Sequence, residues 1–324
     1  MKLFSKGLVV AAALCVALLV MQGCSQKTST STGKKLVVGF SQIGSESDWR
    51  RAHTKNIQDE AAKRGIDLRF SDAQQKQENQ IKAIKNFIAQ KVDAIILAPV
   101  VETGWEPVLR AAQRARIPVI LSDRGVKVSD ENLYVTLVGP DFVEEGRMAG
   151  EWLVNKVGDR KCNIVELQGT AGSAPAIDRR VGFKEAIKSH PNLKIIKSQT
   201  GDFKRVLGQQ VMDAFIASEG KNIGAVYAHN DDMALGAIQS LEAAGMNPGK
   251  DVLVVSVDAV RAAFEAMIAG KLNATVECSP LLGPALFDAC EKAAKGIQQP
   301  KQIPNKEECF DQSVAAKMIG TRKY

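Results

Sequence analysis

The chain has 324 residues, 45% of them apolar and 24% charged, with a formal net charge of +7. That length suits one or two domains, and that composition buries a full core, which excludes a disordered chain. The positive charges are scattered among acids rather than gathered into a stripe. They read as a solvated surface and exclude nucleic acid as a partner.

Residues 1–24 read "MKLFSKGLVVAAALCVALLVMQGC": two lysines, an apolar run, then Gly23-Cys24. This is the three-part layout of an export signal, and the run falls short of the ~20 apolar residues of a membrane span. An ending in Gly-Cys rather than Ala-x-Ala resembles a lipoprotein signal. The resemblance implies removal of residues 1–23, lipidation of Cys24 and an extracytoplasmic protein held to a membrane by its lipid. An uncleaved anchor and simple secretion are the alternatives. Without Lys2 and Lys6 the mature chain carries 41 basic and 36 acidic residues, a net charge of +5. Residues 24–34 are small and polar, a flexible tether. Cys162, Cys278, Cys290 and Cys309 remain in a compartment that permits disulfides. Their spacing matches no CxxC or zinc pattern, and disulfides and free buried thiols both stay open.

From residue 35 strands and helices alternate. "KLVVGFS" reads as a buried strand, "DWRRAHTKNIQDEAAKRG" as a helix stopped at Gly65, and "IDLRFSDA" as a strand. "KQENQIKAIKNFIAQK" spaces its apolar residues as a helix does, "VDAIILAPV" is a strand, "TGWEPVLRAAQRAR" a helix with Pro107 in its first turn, and "IPVILSD" a strand. The pattern restarts near residues 138–141 with "DFVEEGRMAGEWLVNKV" and runs on through "CNIVELQG", "APAIDRRVGFKEAIKSH", "LKIIKSQTGD", "FKRVLGQQVMDAFIAS", "NIGAVYAHND", "DMALGAIQSLEAAG" and "DVLVVSVDA". Two such strings predict two open, mostly parallel sheets covered by helices.

In such sheets ligands bind beyond the carboxyl ends of the strands. There stand "SESDWRR" with Glu46, Trp49 and Arg50, then Asp123-Arg124, Asp178-Arg179-Arg180, Asp202-Phe203, "HNDD" at 229–232, Asp258, and Glu277-Cys278. No serine motif faces His229, the only histidine at a strand end, and no phosphate loop or metal cluster is present. No cofactor, no metal and no enzyme activity are expected. Carboxylates among arginines would be held ionised, whereas a glycosidase acid needs a raised pKa. The inventory suits a sugar: carboxylates accept from its hydroxyls, arginines donate, an amide does both, and an aromatic face covers the C–H side of the ring. Each residue also has a plainer reading: Trp49 as packing, Asn230 and Asp258 as helix caps.

"HNDDMALGAIQSLEAAG", the "DR" after "IPVIL", "IDRRVGF" and "SVDA" resemble the type I periplasmic sugar-binding proteins of ribose- and galactose-type ABC importers. "VGFSQIGSESDWR" and "VELQGTAGSAPAIDRR" place the chain nearest the galactofuranose-binding branch. The resemblance implies an α/β fold of two similar doubly wound lobes joined by a three-segment hinge: residues 35–140 plus 279–308 form lobe 1, and residues 141–278 plus 309–324 form lobe 2. It implies a monosaccharide ligand, galactofuranose or a related sugar, held by Glu46, Ser47, Asp48, Trp49, Arg50, Asp123, Arg124, Arg179, Asn230 and Asp258, with Phe203 as in ribose-type relatives. Phe142 departs from the asparagine usual there, and Asp48 from a glycine. The partners would be an ABC permease and its ATPase, the protein a monomer. Presentation of the ligand to a chemoreceptor or sensor kinase is the alternative.

Overall fold

The computed structural model describes residues 35–324. The signal, the tether and Cys24 lie outside the described residues. Lobe 1 is built on β1 (Val37–Gln42), β2 (Asp67–Asp72), β3 (Ala94–Leu97), β4 (Val119–Ser122) and β5 (Leu137–Gly139), with α1 (Asp48–Arg64), α2 (Gln77–Ala89) and α3 (Glu106–Arg114) between them. Lobe 2 repeats the plan with α4 (Phe142–Val157), β6 (Cys162–Gln168), α5 (Ala174–Ile187), β7 (Leu193–Thr200), α6 (Arg205–Glu219), β8 (Ala225–Ala228), α7 (Asp231–Ala243), β9 (Leu253–Asp258), α8 (Arg261–Ile268) and β10 (Ala274–Glu277). The chain then returns to lobe 1 with α9 (Gly283–Ala294) and β11 (Gln302–Pro304), and ends with β12 (Cys309–Asp311) and α10 (Gln312–Met318) in lobe 2.

The sheet orders are β11-β5-β4-β3-β1-β2 and β12-β10-β9-β8-β6-β7. Every pair in the first sheet is parallel, and only β12 runs antiparallel in the second. The chain therefore passes between the sheets three times, after β5, after β10 and after β11. All four residues of β3 and of β4 are buried, as strands covered on both faces must be. Helix α1 stops at Gly65, whose left-handed φ of 66° lets its N–H return to Ala61 and Ala62.

The first sheet has a separate apolar cluster on each face, one around Phe40, Ile57 and Phe287, the other around Ile84, Leu109 and Leu121. Lobe 2 packs as one continuous cluster, which also takes in Trp49 from α1. Each fully buried side chain of this size contributes roughly 1.5–3 kcal/mol. The four described cysteines carry no disulfide. After residue 260 the sequence marks only the strand that ends at Glu277: α8 has eight residues and β11 and β12 three each, too short to show a repeat. No helix of the described residues is long and apolar enough to cross a membrane.

Parallel order puts the carboxyl ends of each sheet's strands along one edge, and the two edges face each other. The Glu102 N–H donates to the Gly172 carbonyl (3.0 Å) and the Asp48 N–H to Asp232 Oδ2 (2.8 Å), so the lobes touch directly.

Candidate functional site

The loop after β1 turns into α1 at Ser47, whose hydroxyl accepts from the Arg50 N–H at 3.1 Å. That cap aims Arg50 at two carboxylates, Glu46 (Nε to Oε1, 3.2 Å) and Asp123 (Nη2 to Oδ2, 2.8 Å). Asp123 follows β4 with a left-handed φ of 67°, a strained conformation of the kind that recurs at functional sites. Arg124 Nε lies 3.6 Å from the same Asp123 oxygen. Burial disfavours the Arg50 charge, but Asp123 and Glu46 outweigh it and hold its pKa above the ordinary value. Burial would likewise lift Asp123, yet Arg50 and Arg124 keep its carboxyl below the usual range. Arg124 has less help: burial and the like charge of Arg50 bring it down to about 10. Glu46 Oε2, Arg50 Nη1 and Arg124 Nε are buried and have no hydrogen-bond partner among the described residues. One acceptor and two donors thus stand ready, each costing about 1–3 kcal/mol while unmet.

Trp49 is 4% exposed. Its ring stacks on His53 (centroids 5.1 Å, 17° between planes), and its indole N–H donates to the Cys278 carbonyl. His53 is held by Gln42 and Ser122, each at 2.9 Å. Burial, reinforced by the Arg50 charge, holds its pKa at about 3, so the ring under Trp49 is neutral. Trp49 both packs and lines the cavity, so neither of its two sequence readings excludes the other.

The opposite wall comes from lobe 2. Arg179 Nε donates to Glu145 Oε2 (2.6 Å), Nη1 donates to the His229 carbonyl (2.6 Å), and Nη2 lies 3.8 Å from Asp258 Oδ1. Its guanidinium stands 5.1 Å from the Phe142 ring centre and 6.0 Å from that of Phe203. Arg124 reaches across from lobe 1 to within 5.0 Å of the Phe203 ring, in reach of a cation–π contact. Phe203 has a left-handed φ of 59°, and its ring occupies the space a side chain on Gly169 would need, with a Cβ there falling 1.9 Å from it. Asn230 caps α7, Oδ1 accepting from the Met233 N–H and Nδ2 donating to the Phe203 carbonyl, which leaves one amide hydrogen. The cap reading and a place on the cavity wall thus hold together for Asn230. Asp258 does not cap α8, which begins from Val260. Burial pushes the Asp258 carboxyl well above the ordinary value, and Arg179 only partly opposes it. The expectation that arginines hold every cleft carboxylate ionised therefore fails at Asp258: desolvation outweighs its single cation.

These walls form a cavity lined by Glu46, Ser47, Trp49, Arg50, Asp123, Arg124, Arg179, Phe203, Asn230 and Asp258, all expected there. Asp48 is the exception. It pairs with Arg51 and with Arg205 of lobe 2 (3.2 Å), outside the cavity wall. Phe142, Pro175 and Cys278 complete the lining. Cys278 follows β10, where the strand-end rule puts it, although the sequence gives it no ligand role. Phe142 stood out only as a departure from a pattern, and Pro175, in the first turn of α5, carried no signal. Asp178 lies half-buried in a neighbouring groove, where burial and the charges of Glu102 and Asp141 lift it to about 6.

Residues 38–297 match the model of the periplasmic binding protein domain. The chain is 54% identical over 278 residues to the galactofuranose-binding protein YtfQ of Escherichia coli K12, covering 85% of this chain and 87% of that one. It resembles the crystal structure of a galactofuranose-binding protein (TM-score 0.88, 52% identity, covering 89% of this chain and 98% of that one). A similar likeness (TM-score 0.86, 53% identity, 89% and 95%) joins it to the binding component of the arabinose ABC transporter from Shewanella sp. ANA-3, solved with α- and β-L-arabinofuranose.

Proposed function

The chain belongs to the periplasmic binding protein family, and on that premise we propose that its two lobes close around a furanose sugar, galactofuranose or arabinofuranose. It is an extracytoplasmic sugar-binding receptor of an ABC importer. The observation that carries the ligand assignment is the lining of the cavity: a network of ion pairs on the wall from one lobe, and an arginine among aromatic rings on the wall from the other. Ring hydroxyls meet the unpaired atoms of Glu46, Arg50 and Arg124, Asp258 donates its proton, and Trp49 with Phe142 and Phe203 covers the apolar faces. A sugar bonded to both walls binds the closed form better, and this differential affinity is what drives closure. Going from 1% to 99% closed takes about 5.5 kcal/mol, within reach of two to four charge-assisted hydrogen bonds of ~1.5–3 kcal/mol each from lobe 2.

Lobe 1 spans residues 35–140 and 279–308 in this reading, and lobe 2 spans 141–278 and 309–324. Cys24 carries lipid, and the protein works as a monomer. A thermal-shift screen against furanose and pyranose sugars, polyols and nucleosides tests the ligand class: stabilisation by none of the sugars sinks the assignment. Cys24→Ser should move the protein from the membrane fraction to the soluble one. The contrast between a depressed Asp123 and a raised Asp258 is also what an acid–base pair of a glycosidase shows. The binding reading requires that aryl furanosides and pyranosides are bound or ignored but not cleaved.

A further inference from the structure

Behind Arg179, and reaching the cavity wall only through Cys278, lies a cluster that sugar contact does not explain. Glu145 stands in the first turn of α4, just after the first passage between the lobes. Cys278 stands in the second passage and Glu307 in the third. One ligand-type atom from each lies within 4.8 Å of the others. Glu145 is fully buried and holds Arg179 through Oε2. Its other oxygen, and Oε1 of Glu307, are buried without a hydrogen-bond partner among the described residues. Two carboxylates brought this close are both acceptors while ionised, and a hydrogen or a cation between them relieves the repulsion.

We propose that Glu307 is a positioning residue for sugar binding: a hydrogen shared between the Glu307 and Glu145 carboxyls steadies the Glu145 carboxylate, which in turn holds the Arg179 guanidinium in the cleft. The inference rests on the reading that Arg179 touches the sugar. Burial comes first in keeping Glu307 protonated, and the Glu145 and Asp141 charges add to it while Arg179 opposes. Cys278, the remaining titratable group facing the cluster from the second passage, is a neutral thiol, its pKa pushed well up by burial and then by Glu145. Asp123 acts on Glu145 from lobe 1. A metal cation would also satisfy two carboxylates and a thiol. It would, however, share the Glu145 carboxylate with the guanidinium of Arg179, cation against cation. A proton cancels one carboxylate charge and leaves the other to Arg179, so it is the occupant the geometry favours. The two carboxyls then titrate as a pair.

Calorimetry with L-arabinose and D-galactose, whose solutions contain furanose and pyranose forms, tests this on the native protein and on Arg179→Ala, Glu307→Ala and Glu307→Gln. A glutamine amide donates as a protonated glutamate does. Glu307→Gln should bind within about threefold of native, Glu307→Ala at least tenfold weaker, and Arg179→Ala weaker still. A raised pKa means the proton is present at low pH and lost as pH rises. With Glu307 raised to about 11, the ratio of native to Glu307→Gln affinity should therefore hold from pH 7 to 9.5 and fall about twofold by pH 11. This comparison stands even if Glu307→Ala does not fold. Glu307→Gln as weak as Glu307→Ala, a ratio flat to pH 11, or loss of native binding on adding EDTA overturns the proposal. If Arg179→Ala binds as native does, the cleft assignment itself is wrong; if Arg179→Ala fails to bind and Glu307→Ala binds normally, only the role of Glu307 falls.

Discussion

The two walls of the cleft solve the burial of charge differently. On lobe 1, Arg50, Arg124, Asp123 and Glu46 form one chain of ion pairs, and charges left over are met by neighbours of opposite sign. On lobe 2 a single arginine stands against two aromatic rings and is anchored from behind by Glu145 and the His229 carbonyl. Lobe 1 thus presents a rigid network with a few open valences. Lobe 2 presents apolar faces, the Arg179 guanidinium, the Asn230 amide and the Asp258 carboxyl. A wall of pure ion pairs would offer the C–H face of a sugar nothing, and a wall of rings would leave its hydroxyls dry. Dividing the tasks between lobes makes full recognition possible only when the lobes are shut.

The largest expected effect comes from removing the lobe 2 donor. Arg179→Ala strands Glu145 as a buried unpaired carboxylate, and breaking a buried pair costs about 3–5 kcal/mol. Affinity should drop at least 100-fold. Small-angle scattering sharpens the test: native protein should contract with saturating sugar, and the variant, holding sugar on lobe 1 alone, should contract less. Equal contraction would remove Arg179 from the closing contacts.

Next comes Trp49, which belongs to lobe 1 by chain but packs with the lobe 2 core. Trp49→Ala should weaken binding at least tenfold, about 1.4 kcal/mol, and because the ring is buried it should also cost ~3–5 kcal/mol of stability. Trp49→Phe keeps a ring but not the donor to Cys278, and should recover most of the affinity. The stacked His53 adds a pH signature. Its pKa is depressed in the fold, so the unfolded chain binds the extra proton as pH falls. Stability is full above the unfolded value of ~6.5 and is lost as pH drops toward about 3. Melting curves from pH 7 to 4 should fall more steeply for native protein than for His53→Gln.

The site was legible where it follows from sheet geometry. Arg50, Asp123, Arg124, Arg179, Phe203, Asn230 and Asp258 each come at or just after a strand's end or its helix start, where parallel sheets place ligands. What was not legible depends on contacts far apart in sequence. The partner of Asp48 is Arg205, 157 residues on, and no local pattern shows that a first-turn side chain turns away from the cavity. The raised Asp258 pKa depends on how completely the fold dries the group. Glu145, Cys278 and Glu307 meet only because three passages between lobes converge. The tertiary fold sets all three, whereas the strand and helix periods are set locally.

A smaller effect tests the aromatic wall. Gly169→Ala puts a methyl group where the Phe203 ring now lies. The ring must shift and take with it the face it shows to Arg124 and Arg179. Overpacking of this kind costs about 1–3 kcal/mol, and affinity should fall several-fold more for Gly169→Ala than for Gly320→Ala, a control where no neighbour lies near the added carbon and φ is not left-handed.

The smallest effect should come from contacts that join the walls without touching the cavity. Asp48 and Arg205 pair across the cleft with side chains 38% exposed each, and Arg205 also holds Asp232 at 2.9 Å. Exposed pairs contribute about 0.2–1 kcal/mol. This pair contributes only when the lobes are closed, so all of it enters the closing equilibrium. Asp48→Ala should therefore weaken sugar binding by no more than about fivefold and leave the melting temperature of the sugar-free protein nearly unchanged. Salt separates this contact from the buried ones: a screened surface pair weakens between 0.05 and 0.5 M ionic strength by way of a Debye length that shrinks to a few Å. Native affinity should fall slightly over that range and Asp48→Ala affinity should not. A loss beyond twentyfold, or a salt dependence unchanged by the substitution, would mean that Asp48 acts on the sugar itself.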